Sequence, residues 1–423
     1  MLDIKFIVEN QMLVKQGAAK KNIKVDIDKI VSLDSERKTL LLDVEALRTR
    51  QNSVSKEIPN TYGNKKQELL DEMKKLKDNL KIQEQALEDI REELDTLVLY
   101  VPNPPFAEVP EGKGEEDNLV ISTFMEPTKF DFEPKDHIEL GKSLDLLELD
   151  KAAEMSGARF YYVKNDLVLL EFALIQYALS KIIPKGFSPI LPPVLVHEKA
   201  MIGTGFFPAD KNEVYSVNPG EDDLFLIGTA EVPLCMLHYD EILDEKKLPL
   251  RYVGFSPCFR REAGSYGKDT AGIIRVHQFD KIEMFIFAHP DKAKEEHQLI
   301  VNIEDEIVQG LKIPYQRINI CGGDLGAPAA QKFDIEAWIP TQGKYREITS
   351  CSNTTDFQAR RSKIRFKDSK GNKKHVYTLN GTAIAMARMF VAILENYQNK
   401  DGSVTIPEVL RPYMGGKSLI GPK

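Results

Sequence analysis

From residue 30 to residue 101 the apolar positions advance in steps of three and four. The first run is Ile30, Leu33, Leu40, Val44, Leu47, Val54 and Ile58, interrupted at Arg37 and Gln51. The second is Leu69, Met73, Leu76, Leu80, Leu87, Ile90, Leu94, Leu97 and Val101, interrupted at Gln83. A turn cluster, Pro59-Asn60-Thr61-Tyr62-Gly63-Asn64, separates them. Two helices of about 30 to 35 residues, each on the order of 50 Å long, joined by one tight turn must run antiparallel with their seams facing. The pattern therefore predicts a coiled-coil hairpin over about 28–101. Ahead of it, a short helix is predicted from Ile4 to Gln16, closing near Gly17. Pro102-Asn103-Pro104-Pro105 stops the second helix and divides a domain 1–104 from a domain 105–423.

Beyond the prolines, helical and alternating segments intermix. That predicts an α+β domain around a mainly antiparallel sheet. Asp166 to Pro184 is amphipathic. Glu171 and Gln176 interrupt its apolar run, so no membrane span is expected. The next stretch, 186–193, is strand-like but carries Pro189, Pro192 and Pro193, which confines it to an edge or an interface. Tyr252 to Phe255 predicts one strand and the alternation from Ile273 to Phe287 a second. A turn-rich loop from Gly264 to Gly272 lies between them. Leu379 to Ala383 leads into a last helix ending near Asn396.

Charge changes the picture of the hairpin. Residues 48–81 hold nine Lys or Arg against five acids, or +4; residues 82–101 are −5 and residues 28–47 are −2. A basic tip on a long rod suits contact with a nucleic-acid backbone; a spacer or dimerisation rod is the plainer alternative. The whole chain is net −8, which argues against a generally basic coat. A second basic run, Arg360 to Lys374, carries eight cations against Asp368, with Gly371-Asn372 as a hairpin turn. It fits equally a lysine-protected sheet edge and an RNA contact. The four cysteines are 23, 63 and 30 residues apart, too far for a zinc site or a disulfide framework, as fits a reducing cytoplasm. The N-terminus lacks the apolar core of a signal peptide.

Four stretches carry candidate chemistry. Arg260-Arg261-Glu262 leaves the first strand of the strand–loop–strand unit, where a guanidinium fork suits phosphate. Thr229-Ala230-Glu231 offers a hydroxyl and a carboxylate to an ammonium group, or else a helix cap. YREITSCSN offers a carboxylate, Glu347, and a nearby hydroxyl, hard oxygen donors suited to Mg²⁺ held by nucleotide phosphates; strand alternation places Glu347 and Thr349 on one face and Arg346, Ile348 and Ser350 on the other. Arg388 sits near a helix N-terminus just past a glycine-containing turn, a favourable place for polyphosphate. The chain carries no Walker A loop, dinucleotide fingerprint or HExxH.

The wording of these stretches resembles the class II aminoacyl-tRNA synthetases, in the form of the bacterial-type seryl-tRNA synthetases. FRREAGSYGKDTAGIIRVHQFDKIE is similar to their motif 2, the helix–strand–proline run to motif 1, NGTAIAMARMFVAILENYQ to motif 3, and TAE and EITSCSNTTDFQARR to further family stretches. The resemblance covers essentially the whole chain. It implies an antiparallel catalytic sheet flanked by helices, with the coiled-coil arm binding tRNA. It implies activation of L-serine with ATP and Mg²⁺, without zinc, and transfer to tRNA(Ser), and to tRNA(Sec) where present. It implies a cytoplasmic homodimer whose arm reaches tRNA bound across the dimer.

By residue, the resemblance implies serine binding by Thr229, Ala230, Glu231, Arg260, Glu283 and Thr382. ATP binding falls to Arg260, Arg261, Glu262, Val276, Phe279, Glu347, Ile348, Thr349, Ser350 and Arg388, and metal binding to Glu347 and Ser350. Arg260, Glu283 and Arg388 are the expected catalytic residues. Ala271 and Thr382 depart from the usual family residues, basic and serine respectively. Two alternatives remain at the level of sequence. One is a related ligase loading a small amino acid onto another carrier; the other is a non-enzymatic coiled-coil interaction protein.

Overall fold

The chain divides into two compact units: Met1–Ala19 with Ile23–Pro104, and Lys20–Asn22 with Pro105–Lys423. The computed structural model describes residues 2–263 and 271–421. Most of the glycine-rich loop expected at 264–272 lies outside the described residues.

The first unit opens with two short helices, α1 (Ile4–Glu9) and α2 (Gln11–Lys20), not with one helix closing at Gly17. Gly17 is buried inside α2. Then come α3 (Ile27–Glu57) and α4 (Asn64–Leu99), joined by a single 3₁₀ turn at Ile58–Asn60 and Gly63 at φ +67°. Asp26 caps α3 by accepting the Lys29 N–H. The seam buries Ile30, Val44 and Val54 against Leu69, Leu87, Ile90 and Leu94. At the base it steps to Val98, leaving Leu97 only partly covered. The interruption at Arg37 has a local reason: its guanidinium pairs at 2.6 Å with Asp34, a carboxylate buried one turn earlier. Three ion pairs cross between the helices: Lys29–Glu93, Arg48–Glu84 and Arg50–Glu72. Each is solvent-exposed, where charge pairs are screened and add little, so apolar seam burial carries the pairing. Two of these pairs also engage tip cations, Arg48 and Arg50.

The second unit is built on eight strands: β1 (Leu119–Phe124), β2 (Ser188–Ile190), β3 (Leu250–Phe259), β4 (Gln278–Ala288), β5 (Tyr315–Asn319), β6 (Gln331–Ile339), β7 (Lys344–Asn353) and β8 (Tyr377–Ala385). Their order is β1-β5-β6-β7-β8-β4-β3-β2. All pairs are antiparallel except β2 with β3, so the expected α+β class with an antiparallel sheet is met. The proline-rich β2 is an edge strand.

Helices Asp166–Ile182, Ala293–Gly310 and Met386–Asn396 share one apolar core with Ile282, Met284, Ile335, Ala337, Leu379 and Ile384 of the sheet. The Asp166–Lys185 stretch is long and apolar enough by composition to cross a membrane. Its helix nevertheless packs Leu167, Leu170, Leu174 and Tyr177 into this core while Leu169 and Phe172 stay exposed. On the sheet's other face, alternation turns polar residues out: Lys281 and Glu283 of β4, Lys332 and Asp334 of β6, and Asn380 and Thr382 of β8.

β-bulges at Ile348 in β7 and Ala383 in β8 break the alternation, as does a further one at Ile121 in β1. The first overturns an expectation. Ile348 enters the core and Thr349 also points there, donating to Glu304 of the Ala293–Gly310 helix. Glu347 therefore shares the open face with Ser350, not with Thr349. Two further expectations are corrected. β4 begins at Gln278; residues 273–277 run irregularly. Gly381 lies inside β8, not in a turn, and a Cβ there would stand 2.3 Å from Ile300.

The basic run forms the expected hairpin, Arg365–Lys367 with Lys373–His375, turned by Asp368 and by Gly371 at φ +85°. Arg360 pairs with Asp356 and Arg365 with Asp240, while Arg361 stacks on Phe357 and donates to two carbonyls. The exposed cations are thus lysines.

Candidate active site

Two adjoining compartments on the open face of the sheet, of about 500 and 1050 Å³, share Arg260, Lys281, Glu347 and Thr382.

The smaller one is lined by Glu262, Ile274, Arg275, Val276, Phe279, Ile348, Ala387 and Arg388. Phe279 presents its ring, with the Arg260 guanidinium 5.3 Å from the ring centre. Arg260 also donates to the Gly228 carbonyl at 3.2 Å. Arg275 donates to Glu262 at 2.6 Å. Arg388, third in its helix, donates to the Glu347 carbonyl at 2.8 Å and stands 3.3 Å from the Glu347 carboxylate. Enclosure alone would push Glu347 up. Arg388, Lys332 and Arg260 outweigh it and hold the carboxyl down at about 2. It is therefore ionised throughout the physiological range. Beyond it, Lys332 pairs with Asp334 at 2.9 Å, and burial still pushes Asp334 up to about 7.

The larger compartment is a buried polar network. Glu283 accepts from Lys281 at 2.6 Å and from the Thr382 hydroxyl at 3.1 Å. Lys281 donates on to Thr229 at 2.6 Å. The Thr229 hydroxyl also accepts the Glu231 N–H at 3.2 Å just ahead of the Glu231–Met236 helix, whose N-cap position is Ala230, and Thr229 lines the compartment. Glu231 accepts from Gln358 at 2.7 Å. Burial first, then the nearby Glu283, pushes Glu231 up to about 7. Two carboxylates facing one buried ammonium leave room for a second cation, such as a substrate amino group.

Of the residues expected from sequence, Thr229, Glu231, Arg260, Glu262, Val276, Phe279, Glu283, Glu347, Ile348, Ser350, Thr382 and Arg388 line these compartments. Thr349 borders the smaller one while its hydroxyl points away. Arg261 is exposed and lines neither, and Ala230 is fully buried against Gly254. Four contributors went unread: Lys281, Gln358, Arg275 and His137. Phe279, Lys281 and Glu283 alternate along one strand face, a signal that was legible. Gln358 lies 127 residues from Glu231, with nothing local to mark it. His137 accepts the Ile273 N–H while its other ring nitrogen meets the buried Glu395 at 2.9 Å, so it holds the chain returning from the motif 2 loop. Among the described residues no group of three or more His, Cys, Asp or Glu could hold a metal on its own.

An antiparallel sheet with two arginines, Arg260 and Arg388, converging on Glu347 defines a class II aminoacyl-tRNA synthetase core. Residues 213–397 match the model of the tRNA synthetase class II core domain (G, H, P, S and T), and residues 1–105 match the seryl-tRNA synthetase N-terminal domain. The chain is 44% identical over 419 residues, 98% of each chain, to a serine–tRNA ligase of Dictyoglomus turgidum. It is 47% identical over 389 residues to one of Thermobifida fusca, covering 92% and 91% of the two chains. The seryl-tRNA synthetase of Pyrococcus horikoshii, solved in complex with ATP, superposes with a TM-score of 0.93 at 42% identity, covering 100% of both chains. The chain belongs to the seryl-tRNA synthetase family.

Proposed function

We propose that this chain activates L-serine with ATP to seryl-adenylate and transfers the seryl group to the 3′ end of tRNA(Ser), and of tRNA(Sec) where one exists. The observation that carries this is the junction of the two compartments at Arg260. The smaller takes ATP: the adenine on Phe279 with its edge toward Glu262 and Val276, the α-phosphate at Arg260, the terminal phosphate at Arg388. The larger takes serine: its ammonium at Thr229 and Glu231, its hydroxyl at Glu283 and Thr382, its carboxylate at Arg260. In-line attack of that carboxylate on the α-phosphorus needs positioning and charge neutralisation more than a general base. Glu347 and Ser350 offer two hard oxygens on one face, which fits Mg²⁺ completed by phosphates and water. Glu347 and Ser350 would hold the ion, which would supply charge neutralisation for the phosphate oxygens.

The seven lysines of the arm tip, Lys56, Lys65, Lys66, Lys74, Lys75, Lys77 and Lys81, none in a side-chain ion pair among the described residues, support tRNA contact by the 1–104 domain. Leu169 and Phe172, with Leu191 80% exposed beyond the edge strand, support a homodimer. Four free, buried cysteines accord with a cytoplasmic location. The match of residues 1–105 to a tRNA-synthetase domain leaves the carrier-ligase alternative without a feature of its own. ATP–pyrophosphate exchange without tRNA tests the assignment, comparing serine, threonine, alanine and glycine. Serine should drive exchange well above the rest. Preferential exchange with glycine or alanine would move the chain to the carrier class, and no exchange with any would overturn the enzymatic assignment.

A further inference from the structure

Lys21 is a buried lysine with no carboxylate paired to it among the described residues. It is 3% exposed, and its Nζ donates to three main-chain carbonyls: Gly326 at 2.9 Å, Ala327 at 3.0 Å and Ala329 at 2.6 Å. An ammonium carries three N–H bonds, so all three are used. A neutral amine has only two, so the arrangement selects the charged form. Burial works the other way, pushing the group down to about 7. Charged lysines are rarely buried without a counter-ion, so this one is held for what its carbonyls do.

Those carbonyls belong to residues 326–329, and Gly326, Pro328 and Ala329 line the larger compartment across from Thr229, Glu231 and Glu283. The wall has little slack. A Cβ on Gly205, which lines the same compartment, would stand 2.9 Å from Pro328, and the Ala330 N–H is held by the Asn353 carbonyl at 2.7 Å. Around Lys21, the Lys20 ammonium donates to Val109 at 2.6 Å and the Asn22 amide to Lys113 at 3.2 Å, which fixes the backbone that carries it.

We propose that Lys21 is a positioning residue for amino-acid recognition, gathering the 326–329 loop into the wall that sizes the serine compartment; the proposal rests on assigning that compartment to serine. The ATP compartment has no residue from this loop, so the effect should divide between the two substrates. In pyrophosphate exchange, Lys21→Met should raise the KM for serine by roughly tenfold and leave the KM for ATP within about twofold of wild type. An unchanged serine KM, or a parallel rise in both constants, would overturn the proposal. Should Lys21→Met fail to fold, Pro328→Gly loosens the same loop between two of the held carbonyls and is judged by the same split. Failure of the wild type to exchange with serine would strike the compartment assignment, whereas normal wild-type exchange with an insensitive Lys21→Met strikes only Lys21.

Discussion

Glu231 can hold a substrate ammonium only as a carboxylate. Its pKa is pushed up to about 7 by burial and by Glu283, so it is ionised above that pH and protonated below. The KM for serine should therefore climb as pH falls from 8 to 6, with the KM for ATP much flatter, because Glu347 stays ionised far below that window. Steady-state exchange across this range checks it; a flat serine profile would place the ammonium elsewhere. Residues of this kind were legible where chemistry and local wording coincide, as at Arg260, Glu283 and Glu347. They were not where a partner comes from a distant segment. Gln358 and His137 are ordinary polar residues until the fold delivers them to Glu231 and Ile273. The face of Thr349 was misjudged because one extra residue in β7 reverses the alternation that a two-residue period assumes.

The arm was the most legible element, because a helical seam repeats over many turns and turn chemistry marks its hairpin. The strand after the motif 2 loop was less so. Residues 273–277 alternate like a strand but run irregularly, beginning where His137 accepts the Ile273 N–H. The structure also sharpens the electrostatics of the arm. With Arg48 and Arg50 engaged by Glu84 and Glu72, tip charge rests on lysines. Changing Lys65, Lys74, Lys75 and Lys77 together to Glu should raise the KM for tRNA at least tenfold and flatten its salt dependence. Amino-acid-dependent exchange should not change. Unaltered tRNA kinetics would leave the arm a spacer.

At the scale of the molecule, the proposed homodimer would cover the exposed apolar side chains Leu169, Phe172 and Leu191. Phe172→Asp combined with Leu191→Asp should shift sedimentation from dimer to monomer at micromolar concentration, and a wild-type monomer would remove the dimer from the scheme. The α+β class was legible from intermixed periods. The order of the eight strands was not, because nonlocal pairing leaves no local trace. One feature of chain routing bears on how such a protein is dissected. Lys20–Asn22 count with the larger unit, although the residues on both sides count with the smaller. A truncation starting at Pro105 therefore removes more than the arm. It strands the carbonyls of Gly326, Ala327 and Ala329 without their donor, and silence from that fragment would say as much about a missing keystone as about a missing arm.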